Sequence, residues 1–175
     1  MTMARLFDHE VTALAAKVVE ANAMVGRRVT LAESCTGGLV CAALTEIPGS
    51  SAVLERGFVT YSNEAKIETL GVPLDIIETF GAVSVACAWA MAKGALAHSR
   101  ADVAVAISGV AGPGGGTTLK PVGTVVFSRI GREDASEPEG ELRRFGELSR
   151  VEIRRQAVLC ALELLLPQAE VAGAP

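Results

Sequence analysis

The chain is short of aromatic residues and of histidine, and it has no basic block, no paired-cysteine motif and no long apolar run. Each shortage removes a class of function. Aromatics are 4% of the 175 residues, and 16 Lys and Arg are scattered among 20 Asp and Glu, for a formal charge of −4. A basic stripe interleaved with stacking rings is therefore missing, and no nucleic-acid partner is expected. Only His9 and His98 accompany four dispersed cysteines, Cys35, Cys41, Cys87 and Cys160, none in C-x-x-C spacing. A Cys/His metal cluster is not expected, and the thiols read as buried and free. Cys35 stands apart because its Gly-rich setting could also house a nucleophile. No apolar stretch reaches the length of a membrane span, and MTMARLFDHEV lacks the apolar core of a secretion signal. A soluble cytoplasmic protein with no membrane partner is expected.

What remains is an Ala-, Val-, Leu- and Gly-rich chain, half hydrophobic, with a mean hydropathy of +0.38. Its length fits one domain with a sizeable core. An apolar stripe from Met3 to Ala23 predicts a covering helix. Val29 to Ala32 reads as a buried strand, Leu39 to Thr45 as a helix, and Pro73 to Phe80 as a short helix stopped by Gly81. An alanine-rich helix runs from about Ser84 to Ser99. Asp102 to Gly109 is nearly continuous in apolar residues, as a strand covered on both faces is. Val122 to Ser128 and Leu142 to Leu148 read as strands, Gly131 to Gly140 as a polar loop, and Val151 to Leu166 as a final helix. Strands and helices alternate, which predicts an α/β fold: one three-layer α/β/α domain over residues 1–166 around a mixed, largely buried sheet, then a loose tail over 167–175. Small residues along the alanine-rich helix make a homo-oligomer the expected assembly.

The densest chemistry lies between Pro48 and Lys66, where a serine, a tyrosine and a lysine fall in one stretch. Pro48-Gly49-Ser50 is turn chemistry, and Ser50 can cap a short helical turn through Glu55 that carries Ser51. A hydroxyl there is close to backbone N–H groups without intrahelical partners, which favours a nearby oxyanion. Phe58 to Tyr61 reads as a short strand, and Ser62 or Asn63 caps a helix that puts Lys66 in its first turn. A cation is disfavoured at that end, so the lysine tends toward a neutral, basic amine. Such an amine can deprotonate a serine, with Tyr61 relaying or orienting the proton. The same residues also suit a turn cap, a sheet-edge aromatic and a surface lysine.

Two Gly-rich turns follow strands. Glu33-Ser34-Cys35-Thr36-Gly37-Gly38 leads into a helix whose free N–H groups could meet an anion or polar ligand, or serve only tight packing. Val110 to Pro121, with Gly112 and Gly114 to Gly116, follows a central strand at the end where open α/β sheets bind ligands, and Lys120 there could supply a cation. Arg150, at the start of the last helix, is placed against the helix dipole and suits an anionic ligand or the surface.

Five phrases then combine: TLAESCTGG at 30–38, GFVTYSNEAK at 57–66, GAVS at 81–84, ISGVAGP at 107–113 and KPVGTV at 120–125. Together, in order, they resemble the CinA C-terminal domain family, bacterial nicotinamide-nucleotide amidohydrolases of the PncC type, from about residue 8 to residue 165. The resemblance implies hydrolysis of the carboxamide of nicotinamide mononucleotide to nicotinic acid mononucleotide and ammonia, with no cofactor and no metal. It maps the family's serine nucleophile onto Ser51, its tyrosine and lysine onto Tyr61 and Lys66, and its arginine onto Arg150. Ser34 or Cys35, in the family's most prominent motif, is the competing nucleophile. The Ser34–Gly38 turn and the Gly112–Gly116 loop are expected to line the pocket, with Arg150 or Lys120 on the phosphate. Where many members have Gly-Asp before the arginine, this chain has Leu148-Ser149. A non-catalytic nucleotide-binding or regulatory module, linked to competence or the DNA-damage response, is the rival reading. A phosphate-binding transferase lacks both the Walker-type lysine and a metal-binding carboxylate pair.

Overall fold

A computed structural model of the chain describes residues 6–133 and 140–168. Most of the expected polar loop and most of the tail lie outside the described residues. Five strands form one sheet in the order β2-β1-β3-β4-β5: β1 (Val29–Glu33), β2 (Leu54–Val59), β3 (Val103–Gly109), β4 (Thr124–Gly131) and β5 (Glu141–Arg144). β1 pairs in parallel with both β2 and β3, while β4 and β5 add antiparallel, so the sheet is mixed.

Side chains of successive strand residues point to opposite faces, and that alternation sorts the core. Leu31, Val103, Val105, Ile107, Val125 and Phe127 pack on one face under α1 (His9–Met24), α2 (Leu39–Thr45) and α6 (Arg150–Leu165). Ala32, Ala104, Ala106 and Val126 face the other way, under α3 (Asn63–Leu70), α4 (Leu74–Phe80) and α5 (Val85–Ala97). The small residues on the second face let the alanine-rich α5 approach closely. Its Gly94 backs onto α3, where a Cβ would come within 2.0 Å of the Leu70 carbonyl oxygen.

Local chemistry fixes the ends. Asp8, Ser62, Ser84 and Ser149 cap α1, α3, α5 and α6, each side chain accepting a backbone N–H three residues on. The first helix begins at His9 rather than Met3 because the Asp8 cap sits there. Two further boundaries differ from expectation. Residues Ser50–Ala52 form a single 3-10 turn, and the strand expected over Phe58 to Tyr61 instead covers Leu54–Val59. The strand expected over Leu142 to Leu148 stops at Arg144; Gly146, with φ 75°, turns the chain toward α6.

The chain runs from β1 outward to β2 and then returns past β1 to β3. That reversal opens a crevice at the C-terminal ends of the parallel strands, where α/β sheets bind ligands.

Candidate active site

Three strand ends converge there. The backbone N–H of Ser34, just past β1, donates to the Ile107 carbonyl of β3, and that of Thr60, just past β2, donates to the Glu33 carbonyl. Ser34 and Thr60 are thereby neighbours. The chain then turns at Ser62 into α3, whose first turn swings the Lys66 side chain back beneath both.

Lys66 is 1% exposed. Its Nζ lies 3.0 Å from Ser34 Oγ, 2.9 Å from the Thr60 carbonyl oxygen and 3.2 Å from that of Tyr61. Among the described residues no carboxylate pairs with it. Burial pushes its pKa down. A neutral amine has two N–H bonds and one lone pair. In the neutral form, donations to the Thr60 and Tyr61 carbonyls leave the lone pair for the Ser34 hydroxyl.

The cleft above this pair encloses about 280 Å³ and is lined by Ser34, Cys35, Tyr61, Asn63, Lys66, Ala82 and Val83. Ser108 to Gly112, Gly114, Gly115 and Arg150 complete it. Ser108 Oγ donates to the Ala82 carbonyl at 2.8 Å and joins β3 to the turn before α5. Arg150 donates to the Gly112 carbonyl at 2.6 Å and to the Tyr61 hydroxyl at 3.1 Å. It thus ties the glycine loop to the aromatic rim. Among the described residues no group of His, Cys, Asp and Glu is arranged to hold a metal ion, and no helix is long and apolar enough to cross a membrane.

Several expected site residues sit elsewhere. Ser51 is exposed in the turn before β2, whereas Tyr61 and Lys66 follow the end of that strand. Six strand residues rising about 3.3 Å each lie between them, so Ser51 and Lys66 are at opposite ends of the sheet. Tyr61 contributes its carbonyl to Lys66, but its hydroxyl meets Arg150; the ring is 60% exposed at the cleft mouth. The expected Ser51-Tyr61-Lys66 relay is not assembled. Lys120 donates to the Phe80 carbonyl at 2.6 Å and does not line the cleft.

In the Ser34–Gly38 turn only Ser34 and Cys35 reach the cleft. The N–H groups that open α2 are already taken: the buried Glu33 carboxylate accepts from Gly38, Val40 and Cys41 at 3.0, 3.2 and 3.0 Å. Thr36 is 0% exposed, and the Arg154 guanidinium lies against Gly37. Burial pushes the Cys35 thiol up to about 12, so it stays protonated near neutrality, unlike a reactive thiolate. Of Ser34 and Cys35, it is Ser34 whose side chain lies at hydrogen-bond distance from Lys66 Nζ. Asn63, expected only as a helix cap, and Ser108, the last buried residue of β3 at the strand end where α/β sheets bind ligands, also line the cleft.

The family model for the CinA C-terminal domain matches residues 11–169. The nicotinamide-nucleotide amidohydrolase PncC of Escherichia coli K12 is 48% identical over 164 residues, which cover 92% of this chain and 96% of that protein. A CinA-like protein of Mycobacterium avium is 51% identical over 148 residues, 83% of this chain but 34% of its own length. The chain spans only about a quarter to a third of such longer relatives. The crystal structure of competence/damage inducible protein CihA from Agrobacterium tumefaciens superposes with a TM-score of 0.88 at 48% identity, covering 93% of this chain and 97% of that one.

Proposed function

The chain belongs to the CinA C-terminal domain family, and from that premise we propose that it is an amidohydrolase that deamidates nicotinamide mononucleotide, with Ser34 as nucleophile and Lys66 as base. The observation that carries the reading is the 3.0 Å contact between Lys66 Nζ and Ser34 Oγ, with Lys66 buried and, among the described residues, in no ion pair with a carboxylate. A relative that shares almost its whole length with this chain bears the matching name.

An amide is a poor electrophile, so the reaction needs an activated nucleophile, a place for the oxyanion and a proton for the leaving nitrogen. Ser34 Oγ attacks the carboxamide carbon while Lys66 takes its proton. The backbone N–H of Cys35, next to the nucleophile, is the candidate donor to the oxyanion. Collapse returns the proton from Lys66 to nitrogen, and ammonia leaves an ester on Ser34. Water, deprotonated by Lys66, then releases the acid and frees the serine. Arg150, at the cleft mouth, is the cation for the phosphate.

Ammonia release from nicotinamide mononucleotide by the purified chain and three variants tests this. Ser34→Ala and Lys66→Ala are expected to lose about 10³-fold or more in kcat, as deletions within a catalytic unit do, while Ser51→Ala stays near wild type. Loss confined to Ser51→Ala would return the nucleophile to Ser51. Binding of the nucleotide without release by the wild type would favour the non-catalytic module.

A further inference from the structure

Resting on Ser34 as nucleophile, we propose that Arg154 is a positioning residue that locks the nucleophile turn in its reactive conformation from behind the cleft. Arg154 does not line the cleft. Its side chain borders a separate groove, beside Leu39, Val151 and Val158, on the far side of the turn. From there it reaches residues 119 and 118 positions earlier in the chain: Nε donates to the Cys35 carbonyl at 3.1 Å, and the terminal nitrogen to the Thr36 carbonyl at 3.2 Å.

Those two carbonyls decide where the turn's N–H groups point. Among the described residues the one cis peptide is Gly112-Pro113, so the peptides of this turn are trans, each N–H opposed to its own C=O. The Ser34 carbonyl is held by the Gly37 N–H at 3.0 Å, which turns the Cys35 N–H the other way. The Cys35 carbonyl is held by Arg154. With the peptides on both sides of Cys35 fixed, the backbone at the residue after the nucleophile has no rotation left. An ammonium donates from one point, whereas the planar fork of a guanidinium meets the two carbonyls from two nitrogens at a fixed spacing.

The arginine's own setting supports the assignment. Its neighbour Arg155 is met by Asp8, Glu10 and Glu152, whereas among the described residues no carboxylate pairs with Arg154. Its charge is spent on carbonyls and is felt at the Cys35 thiol, where it opposes the effect of burial.

The test compares wild type, Arg154→Gln and Arg154→Lys by steady-state deamidation of nicotinamide mononucleotide and by the rate at which a small fluorophosphonate labels Ser34, with circular dichroism to establish folding. Arg154→Gln is expected to lose about tenfold or more in kcat with KM within about threefold, and to label slower by a similar factor. That pattern marks an interaction expressed in the transition state rather than in substrate binding. Arg154→Lys, which keeps the charge without the fork, is expected to fall between the two, and it carries the test should the glutamine variant not fold. Folded variants with kcat and labelling within about twofold of wild type would overturn the proposal. If the wild type releases no ammonia, the labelling rates alone decide, separating this inference from the choice of substrate. A wild type that neither turns over nor labels overturns it too, since no activated serine would then exist to be positioned.

Discussion

Among the described residues no carboxylate pairs with the buried Lys66, and that setting has two measurable consequences. A buried ammonium is costly, so burial lowers its pKa from the ordinary lysine value of about 10.4. In its proposed role as base, Lys66 must be neutral; kcat/KM is expected to rise with pH along an acid limb set by its folded-state pKa and then to level. Arg at this position keeps charge and length but cannot accept a proton near neutrality. Lys66→Arg is therefore expected to lose about 10³-fold or more, as removal of a catalytic-unit member does; substantial activity would sink the base assignment. Stability follows the same group. Because its folded pKa lies below its unfolded one, the unfolded chain binds more protons between the two values, and stability rises with pH across that window. Urea unfolding from pH 7 to 10 is expected to show wild type gaining on Lys66→Met as pH rises, and a difference independent of pH would contradict the lowered pKa.

Between elements, α5 and α3 meet through Gly94, and two effects there oppose each other. Alanine at an interior helix position is favoured over glycine by about 0.5–1 kcal/mol. The added Cβ would sit 2.0 Å from the Leu70 carbonyl oxygen, a backbone atom at the C-terminal end of α3. Overpacking costs about 1–3 kcal/mol, so the clash wins and Gly94→Ala is expected to destabilise, read as a lower urea midpoint at unchanged slope. The elements themselves were largely legible in the sequence: a cap at Ser62 or Asn63, a helix from about Ser84, a strand over Asp102 to Gly109 and a helix stop at Gly81 follow from local chemistry. The site was legible only in part. Lys66 in a first helical turn followed from Ser62 and Asn63, but its partner did not, because strand pairing brings Ser34 beside Thr60 across 26 residues that periodicity cannot fold back. The turn Glu33 to Gly38 suits either an anion or polar ligand at an open helix start or tight packing; a carboxylate already in the chain fills it, and nothing in the spacing of Glu33 alone says that its side chain turns inward.

Across the whole molecule, α6 joins the site to the fold. Its first two turns hold three of the loops around the cleft: Arg150 reaches the Tyr61 hydroxyl and the Gly112 carbonyl, and Arg154 reaches the Cys35 and Thr36 carbonyls. Its other end is anchored far from the chemistry. The buried Asn22 of α1 donates to the Leu165 carbonyl at 3.0 Å and to the Val18 carbonyl at 2.8 Å, and accepts from Arg27, which itself donates to Leu165. Loss of a buried hydrogen-bonding group that leaves partners unsatisfied costs about 1–3 kcal/mol, and each kcal/mol moves the midpoint of a chain this size by roughly 2–4 °C. Asn22→Ala is therefore expected to lower Tm by several degrees while kcat, measured well below the transition, stays near wild type. The helix is long enough, at 16 residues, to separate the two ends by about 24 Å at 1.5 Å per residue, so a loosened anchor need not displace the arginines. A fall in kcat at low temperature matching the loss of stability would instead mean that α6 transmits strain along its length, and that the position of Ser34 depends on the whole helix rather than on its first two turns.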